Sequence, residues 1–211
     1  MRSVLCFGDS NTWGAIPGSD FGRYGPDVRW PRVMARMLGG EFDVVEAGLC
    51  GRTTAFDWPP RSWRSGRDLI APTLETHSPL DVVIILLGTN DVAMPHLSVA
   101  DIARGAGELI TIVRSSWDCG PRPQCAPTPV LVAPHVVGPL DAADELVSPD
   151  APERSAELVD AYRELAARIR CDFVDLSDSV QPSSLDPWHW DPRGHERAAE
   201  TLATEIRKIA T

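Results

Sequence analysis

Five short apolar, β-branched runs punctuate the chain, at residues 4–7, 42–46, 82–87, 130–133 and 173–176. Their nearly continuous apolar character suits strands covered on both faces, the condition of a parallel sheet. Between them, apolar residues recur at helical spacing. Residues 28–38 place Val28, Val33, Met34, Met37 and Leu38 at such positions, and residues 67–77 place Leu69, Ile70 and Leu74. Longer helical patterns cover residues 98–117 and 151–170, and a last one runs from about Pro192 to Ile209. Start signals agree: Ser98 with Asp101 three residues later, a Ser148-Pro149-Asp150-Ala151-Pro152-Glu153 stretch, and Asp191-Pro192. Strands alternating with helices predict an α/β fold with right-handed crossovers, and the strand order 2-1-3-4-5 is expected.

At 211 residues the chain has the length of one domain with a full core, and no linker, repeat or low-complexity tract divides it. With 30 acidic against 20 basic residues the net charge is -10, which argues against a nucleic-acid surface and suits small neutral or cationic substrates. Met1-Arg2-Ser3 leads straight into the first apolar run, leaving no room for a signal peptide, and the run at 82–87 is too short to span a bilayer. A cytoplasmic protein without a membrane partner is expected. The five cysteines, Cys6, Cys50, Cys119, Cys125 and Cys171, form no metal-binding spacing. Cys119 and Cys125 bracket a loop and have the spacing for a local bridge, but a reducing compartment favours two free thiols.

Three polar stretches carry candidate chemistry, and two of them sit directly after apolar runs, where an open α/β sheet binds its ligands. Gly8-Asp9-Ser10 follows the first run, Gly88-Thr89-Asn90-Asp91 follows the third, and Asp186-Pro187-Trp188-His189 lies near the C-terminus. A serine hydroxyl is a weak nucleophile until a base takes its proton, so Ser10 needs a partner such as the imidazole of His189, histidine being the usual general base. Asp186, three residues earlier, can leave the same turn and fix the imidazole tautomer. The amide of Asn90 and the backbone N–H groups of Gly51 and Ser10 are candidate donors to an oxyanion. Each has a plainer use: Ser10 as a cap of the following turn, Asn90 as a turn residue, Gly51 as a loop glycine. His195 and Asp191 fit the first turn and N-cap of the last helix, His77 a helix end, and His96 and His135 loops that line a pocket. No metal site is expected from histidines so spaced. Irregular stretches at 13–27, 53–66 and 134–150 carry Trp13, Trp58 and Trp63 and are expected to shape a substrate pocket. Asp9, Trp13 and Trp188 are the candidate substrate contacts.

Four blocks, Gly8-Asp9-Ser10, the Gly51 loop, Gly88-Thr89-Asn90-Asp91 and Asp186-x-x-His189, resemble the SGNH (GDSL-type) hydrolase family over essentially the whole chain. The segments Phe7-Gly8-Asp9-Ser10-Asn11-Thr12-Trp13-Gly14, Pro26-Asp27-Val28-Arg29-Trp30 and Gly51-Arg52-Thr53-Thr54 are most similar to its bacterial arylesterase/acyltransferase branch. The resemblance implies a flavodoxin-like three-layer α/β/α sandwich and a triad of Ser10, Asp186 and His189. It also implies an oxyanion hole of Ser10, Gly51 and Asn90. By the same resemblance the activity is hydrolysis of short-chain or aryl esters without a cofactor, with acyl transfer to alcohols in some members and oligomers in others. Pro187 stands where the family usually has glycine, and Trp188 and Trp190 flank His189, which implies a tighter, more aromatic pocket rim. The rival readings are a carbohydrate acetylesterase, or a thioesterase or lysophospholipase, on the same residues. Beyond these stand a catalytically silent flavodoxin-like binding module and, least favoured, a metal-dependent phosphohydrolase.

Overall fold

The structure, a computed structural model, describes residues 1–57, 61–140 and 147–209. Trp58 and part of the third irregular stretch therefore lie outside the described residues. The strands are β1 (Arg2–Gly8), β2 (Phe42–Gly48), β3 (Val82–Leu86), β4 (Thr128–Ala133) and β5 (Asp172–Asp175). The helices are α1 (Ser10–Trp13), α2 (Trp30–Leu38), α3 (Gly66–His77), α4 (Thr89–Val92), α5 (Val99–Ser115), α6 (Ala151–Ile169) and α7 (Pro192–Ile209). All strand pairings are parallel, as the apolar pattern predicts, and the order is β2-β1-β3-β4-β5, the order expected above.

Two cores explain why the strand runs are apolar without a break. Successive side chains of a strand point to opposite faces. Leu5, Phe7, Val83, Ile85 and Leu131 join α3, α5 and α6 in one cluster, whereas Val4, Cys6, Ile84, Leu86 and Val132 join α2 and α7 in the other. Every residue of β3 is buried. Each fully buried aliphatic side chain contributes about 1.5–3 kcal/mol before conformational entropy is subtracted. The result is three layers, helix over sheet over helix.

Boundaries differ from the sequence reading where a local hydrogen bond decides. Helix α2 starts at Trp30 rather than Val28, because Val28 and Arg29 both turn back to the Gly25 carbonyl and Pro31 suits only a first turn. Ser98 and Asp101 form a reciprocal capping box at α5. At α6 the N-cap is Asp150, without a side-chain cap bond, while the Ser148 hydroxyl bonds to the Asp150 carboxylate instead. Asp191 caps α7 through Oδ1 to the Gly194 N–H at 2.8 Å. All five cysteines are free. No helix among the described residues is long and apolar enough to cross a membrane.

The short α1 lies hard against the end of β2. A Cβ on Gly48 would sit 2.1 Å from the Trp13 nitrogen and 2.5 Å from the Thr12 carbonyl carbon, both backbone atoms that cannot swing aside. Gly48 is thus what lets the turn after β1 close down on the sheet edge. Gly48→Ala should destabilise the protein by about 1–3 kcal/mol through overpacking, read as a lowered urea midpoint with an unchanged m-value. An unchanged midpoint would show that α1 can move away freely.

Candidate active site

At the carboxyl edge of the sheet the chain's two ends meet. Ser10 is the first residue of α1, and the cap of that turn is Asp9, not Ser10: the Asp9 carboxylate accepts the Asn11 N–H at 2.9 Å. The Ser10 hydroxyl is therefore left for other work. It lies 3.1 Å from His189 Nε2 across 179 residues of sequence. The other ring nitrogen, Nδ1, is 3.0 and 3.1 Å from the two Asp186 oxygens. A carboxylate only accepts, so Nδ1 carries the proton and Nε2 presents its lone pair to the serine. Asp186 also accepts the N–H groups of His189, Trp188 and Gly18, at 2.7, 2.9 and 2.9 Å. Burial pushes its pKa upward, but the His189 hydrogen bond and charge and the backbone donors outweigh that and hold the carboxyl well below the usual range. Asp186 stays ionised.

The donors expected around Ser10 come from two further strand ends. Gly88, at φ +122°, turns the chain from β3 into α4, a backbone conformation that L side chains seldom adopt. Asn90 follows, and its Nδ2 donates to the Arg52 carbonyl at 2.9 Å, which leaves one amide proton for another acceptor. Gly51, at φ +78°, precedes Arg52. Among the described residues no acceptor is bonded to the N–H of Ser10 or of Gly51. Ser10, Gly51, Asn90 and His189 all line one cleft of 530 Å³, together with Trp13, Phe21, Leu49, Cys50, Arg61 and Arg64. A larger groove of 680 Å³ between α3, α5 and α6 holds no serine, cysteine or histidine and lies away from this chemistry.

A buried polar network fixes the loops that carry these groups. The Arg52 guanidinium donates to the Gly8 carbonyl at 2.8 Å and to the Ala47 carbonyl, so it ties the ends of β1 and β2 together. It also lies 3.9 Å over the Phe7 ring. Burial lowers its pKa to about 10, against the opposing pull of Asp9, so it remains a cation. Asp91 accepts the Thr54 hydroxyl at 2.6 Å and the Thr54 N–H at 2.9 Å, which pins the Gly51 loop to α4. Burial raises Asp91 to about 6, against the Thr54 bonds. Burial likewise raises Asp9 to about 6, against the Asn11 N–H, His189, Thr89 and Arg52.

Residues 6–197 match the model of the GDSL-like lipase/acylhydrolase family. The chain belongs to that family. It is a carboxylic ester hydrolase of the SGNH type, and solved structures bear out the fold. At 33% identity it resembles the native aryl esterase of M. smegmatis with a TM-score of 0.93, covering 99% of this chain and 100% of that one. Est24, a carbohydrate acetylesterase from Sinorhizobium meliloti, is 34% identical with a TM-score of 0.92, covering 99% and 100%. A carbohydrate acetylesterase family member from the same organism is 30% identical with a TM-score of 0.90, covering 99% of each chain. No curated protein matches the sequence.

Not every expected contact of the hydrolase reaches the cleft. Trp13 does. Asp9 does not: it is 1% exposed, and its carboxylate is occupied as a helix cap. Trp188 packs partly against the core, and Trp190 is fully buried, where its indole N–H donates to His135 Nδ1 at 2.9 Å. Among the described residues, Trp13 and Phe21 line the cleft instead. His135 is buried rather than lining the pocket, and His96 is exposed away from it. His195 packs edge-on against Tyr24 and Trp190, and burial lowers both it and His135 to about 4. Among the described residues no cluster of three or more His, Cys, Asp or Glu has the geometry for a metal ion. The linking arginine, Arg52, and the amide of Asn11 escaped the sequence reading. Their signal was faint: a polar side chain within a motif otherwise explained by its neighbours.

The raised Asp91 pKa sets a sign for stability. The folded state holds this proton up to about pH 6, so the associated stability is complete below the unfolded value and is lost as pH climbs through 6. His135 and His195 act in the opposite sense, which makes the difference between wild type and Asp91→Asn the quantity to measure. Urea titrations should show wild type losing on the order of 2 kcal/mol relative to Asp91→Asn between pH 4 and 7. A difference independent of pH would mean that Asp91 does not ionise in that window.

Proposed function

We propose that the protein is a serine esterase for short-chain or aryl carboxylic esters, with Ser10 as nucleophile, His189 as general base and Asp186 as its orienting carboxylate. The observation that carries this reading is the continuous contact from Asp186 through His189 to Ser10, at 3.0 and 3.1 Å. In it, Ser10 Oγ attacks the ester carbonyl while Nε2 takes the hydroxyl proton. The carbonyl oxygen becomes an oxyanion that accepts from the Ser10 N–H, the Gly51 N–H and the free proton of the Asn90 amide. His189 returns its proton to the departing alcohol as the carbon–oxygen bond breaks. Water, or another alcohol, then resolves the acyl-enzyme by the same proton relay, giving hydrolysis or acyl transfer.

A cleft of 530 Å³ walled by Trp13, Phe21 and Leu49 favours a compact acyl or aryl group. The similarity to Est24 supports acetylated carbohydrates as the second reading. Five free cysteines and a net charge of -10 support a cytoplasmic enzyme acting on a small soluble ester, without nucleic acid or membrane as partner. The exposed Phe21 and Trp63 beside the cleft favour contact with a second copy, as in a homo-oligomer.

Ser10→Ala should abolish turnover of p-nitrophenyl acetate and covalent labelling by an organophosphonate while leaving the melting temperature close to that of wild type. Retained labelling would place the nucleophile elsewhere. Asn90→Ala should lower kcat by about a hundred- to a thousand-fold, the usual effect of deleting one oxyanion donor, and near-normal kcat would remove Asn90 from the mechanism. Rates across p-nitrophenyl esters of rising chain length should fall steeply, whereas a flat profile would contradict a small pocket. Parallel assays with acetylated sugars separate the second reading.

A further inference from the structure

Asn11, the residue after the proposed nucleophile, is 2% exposed and takes no part in the chemistry described above. Its side chain nevertheless makes the two hydrogen bonds that flank His189. Nδ2 donates to the Trp188 carbonyl at 3.0 Å, and Oδ1 accepts the Trp190 N–H at 3.1 Å, over 177 and 179 residues of sequence. The peptide groups on either side of the base are thus held by one planar amide. That amide is joined through a single peptide link to Ser10. An asparagine can do this because it carries donor and acceptor side by side; an aspartate offers only acceptors, a leucine neither.

The remaining anchors of this loop lead elsewhere. Gly18 N–H holds Asp186 at 2.9 Å, Gly138 N–H holds the Pro187 carbonyl at 3.0 Å, and Ser183 N–H holds the His189 carbonyl at 2.8 Å. The first two fix the loop to the body of the protein, and the third braces it internally, because Ser183 belongs to the same β5–α7 connection. Among the described residues, Asn11 makes the bonds that tie this loop to the turn that carries the serine, apart from the His189–Ser10 contact itself. We infer that Asn11 is a positioning residue, which sets the separation of His189 Nε2 from Ser10 Oγ by clamping the backbone on both sides of the base. The inference rests on the triad proposed above. A displacement of about 1 Å between nucleophile and base is enough to reduce a rate about a hundred-fold, and loss of the clamp frees motion of that size without removing a reacting group.

The test compares wild type, Ser10→Ala, Asn11→Ala and Asn11→Leu on p-nitrophenyl acetate, with organophosphonate labelling and thermal unfolding alongside. Folded Asn11 variants should lose about 10- to 100-fold in kcat, with KM within about twofold of wild type and phosphonate labelling slowed in step with kcat. A merely structural asparagine would lower the melting temperature but leave kcat of the folded protein unchanged, and that outcome overturns the proposal. Should Asn11→Ala not fold, Asn11→Ser, which keeps a shorter polar group in the same place, decides by the same kcat and KM comparison. If Ser10→Ala retains turnover, the triad falls and the clamp with it. If Ser10→Ala is silent while the Asn11 variants keep full kcat, only the clamp falls.

Discussion

The structure depends on one closure: residues 186–190 are held against residues 9–11, so that an imidazole from one end of the chain faces a hydroxyl from the other at 3.1 Å. Nothing in the intervening sequence makes that contact locally. The sheet makes it, because β1 lies inside the order β2-β1-β3-β4-β5 and every strand runs the same way. All strand exits then share one edge, and α1, α4 and the Gly51 loop open beside each other. The third component, the Asp186–His189 turn, arrives from the last connection and is captured by side-chain and backbone hydrogen bonds rather than by a strand.

Holding those loops requires polar groups in places where water is excluded. Asp9, Asp91, Arg52 and Thr54 are all buried, yet their main groups find partners: the carboxylates receive N–H and O–H donors, and the guanidinium finds two strand-end carbonyls and an aromatic face. Unpaired, any of them would be strongly destabilising. Paired, they make the edge stiff, which is the condition for donors to hold their aim while charge develops on a substrate oxygen. The raised pKa of Asp9 and Asp91 records what this burial costs, whereas the lowered pKa of Asp186 marks a carboxylate at the same edge whose surroundings favour its charge.

The acidic chain presents a cleft of different character. Arg61 and Arg64 line it together with Trp13, Phe21 and Leu49, and Asp20 is its acidic member. Net charge is therefore a poor guide to the local charge of the cleft, because a chain of charge -10 places two guanidinium groups in the same cleft as Ser10. The aromatic side chains next to His189 in sequence, Trp188 and Trp190, turn inward to pack, and residues from the first irregular stretch take the place at the rim.

Sequence alone determined the fold class and pointed to the strand order and to the proposed nucleophile, base and orienting carboxylate. Those features are local or periodic: unbroken apolar runs report burial on both faces, and Gly8-Asp9-Ser10, Gly88-Thr89-Asn90 and Asp186-x-x-His189 are short blocks at strand ends. Tertiary structure decided what each neighbouring side chain does. Whether Asp9 contacts substrate or caps α1, whether Trp190 rims the cleft or fills the core, and whether Asn11 reaches a loop 177 residues away all depend on direction. A side chain's direction is set by which surface is buried beside it, and that surface exists only once the layers have packed.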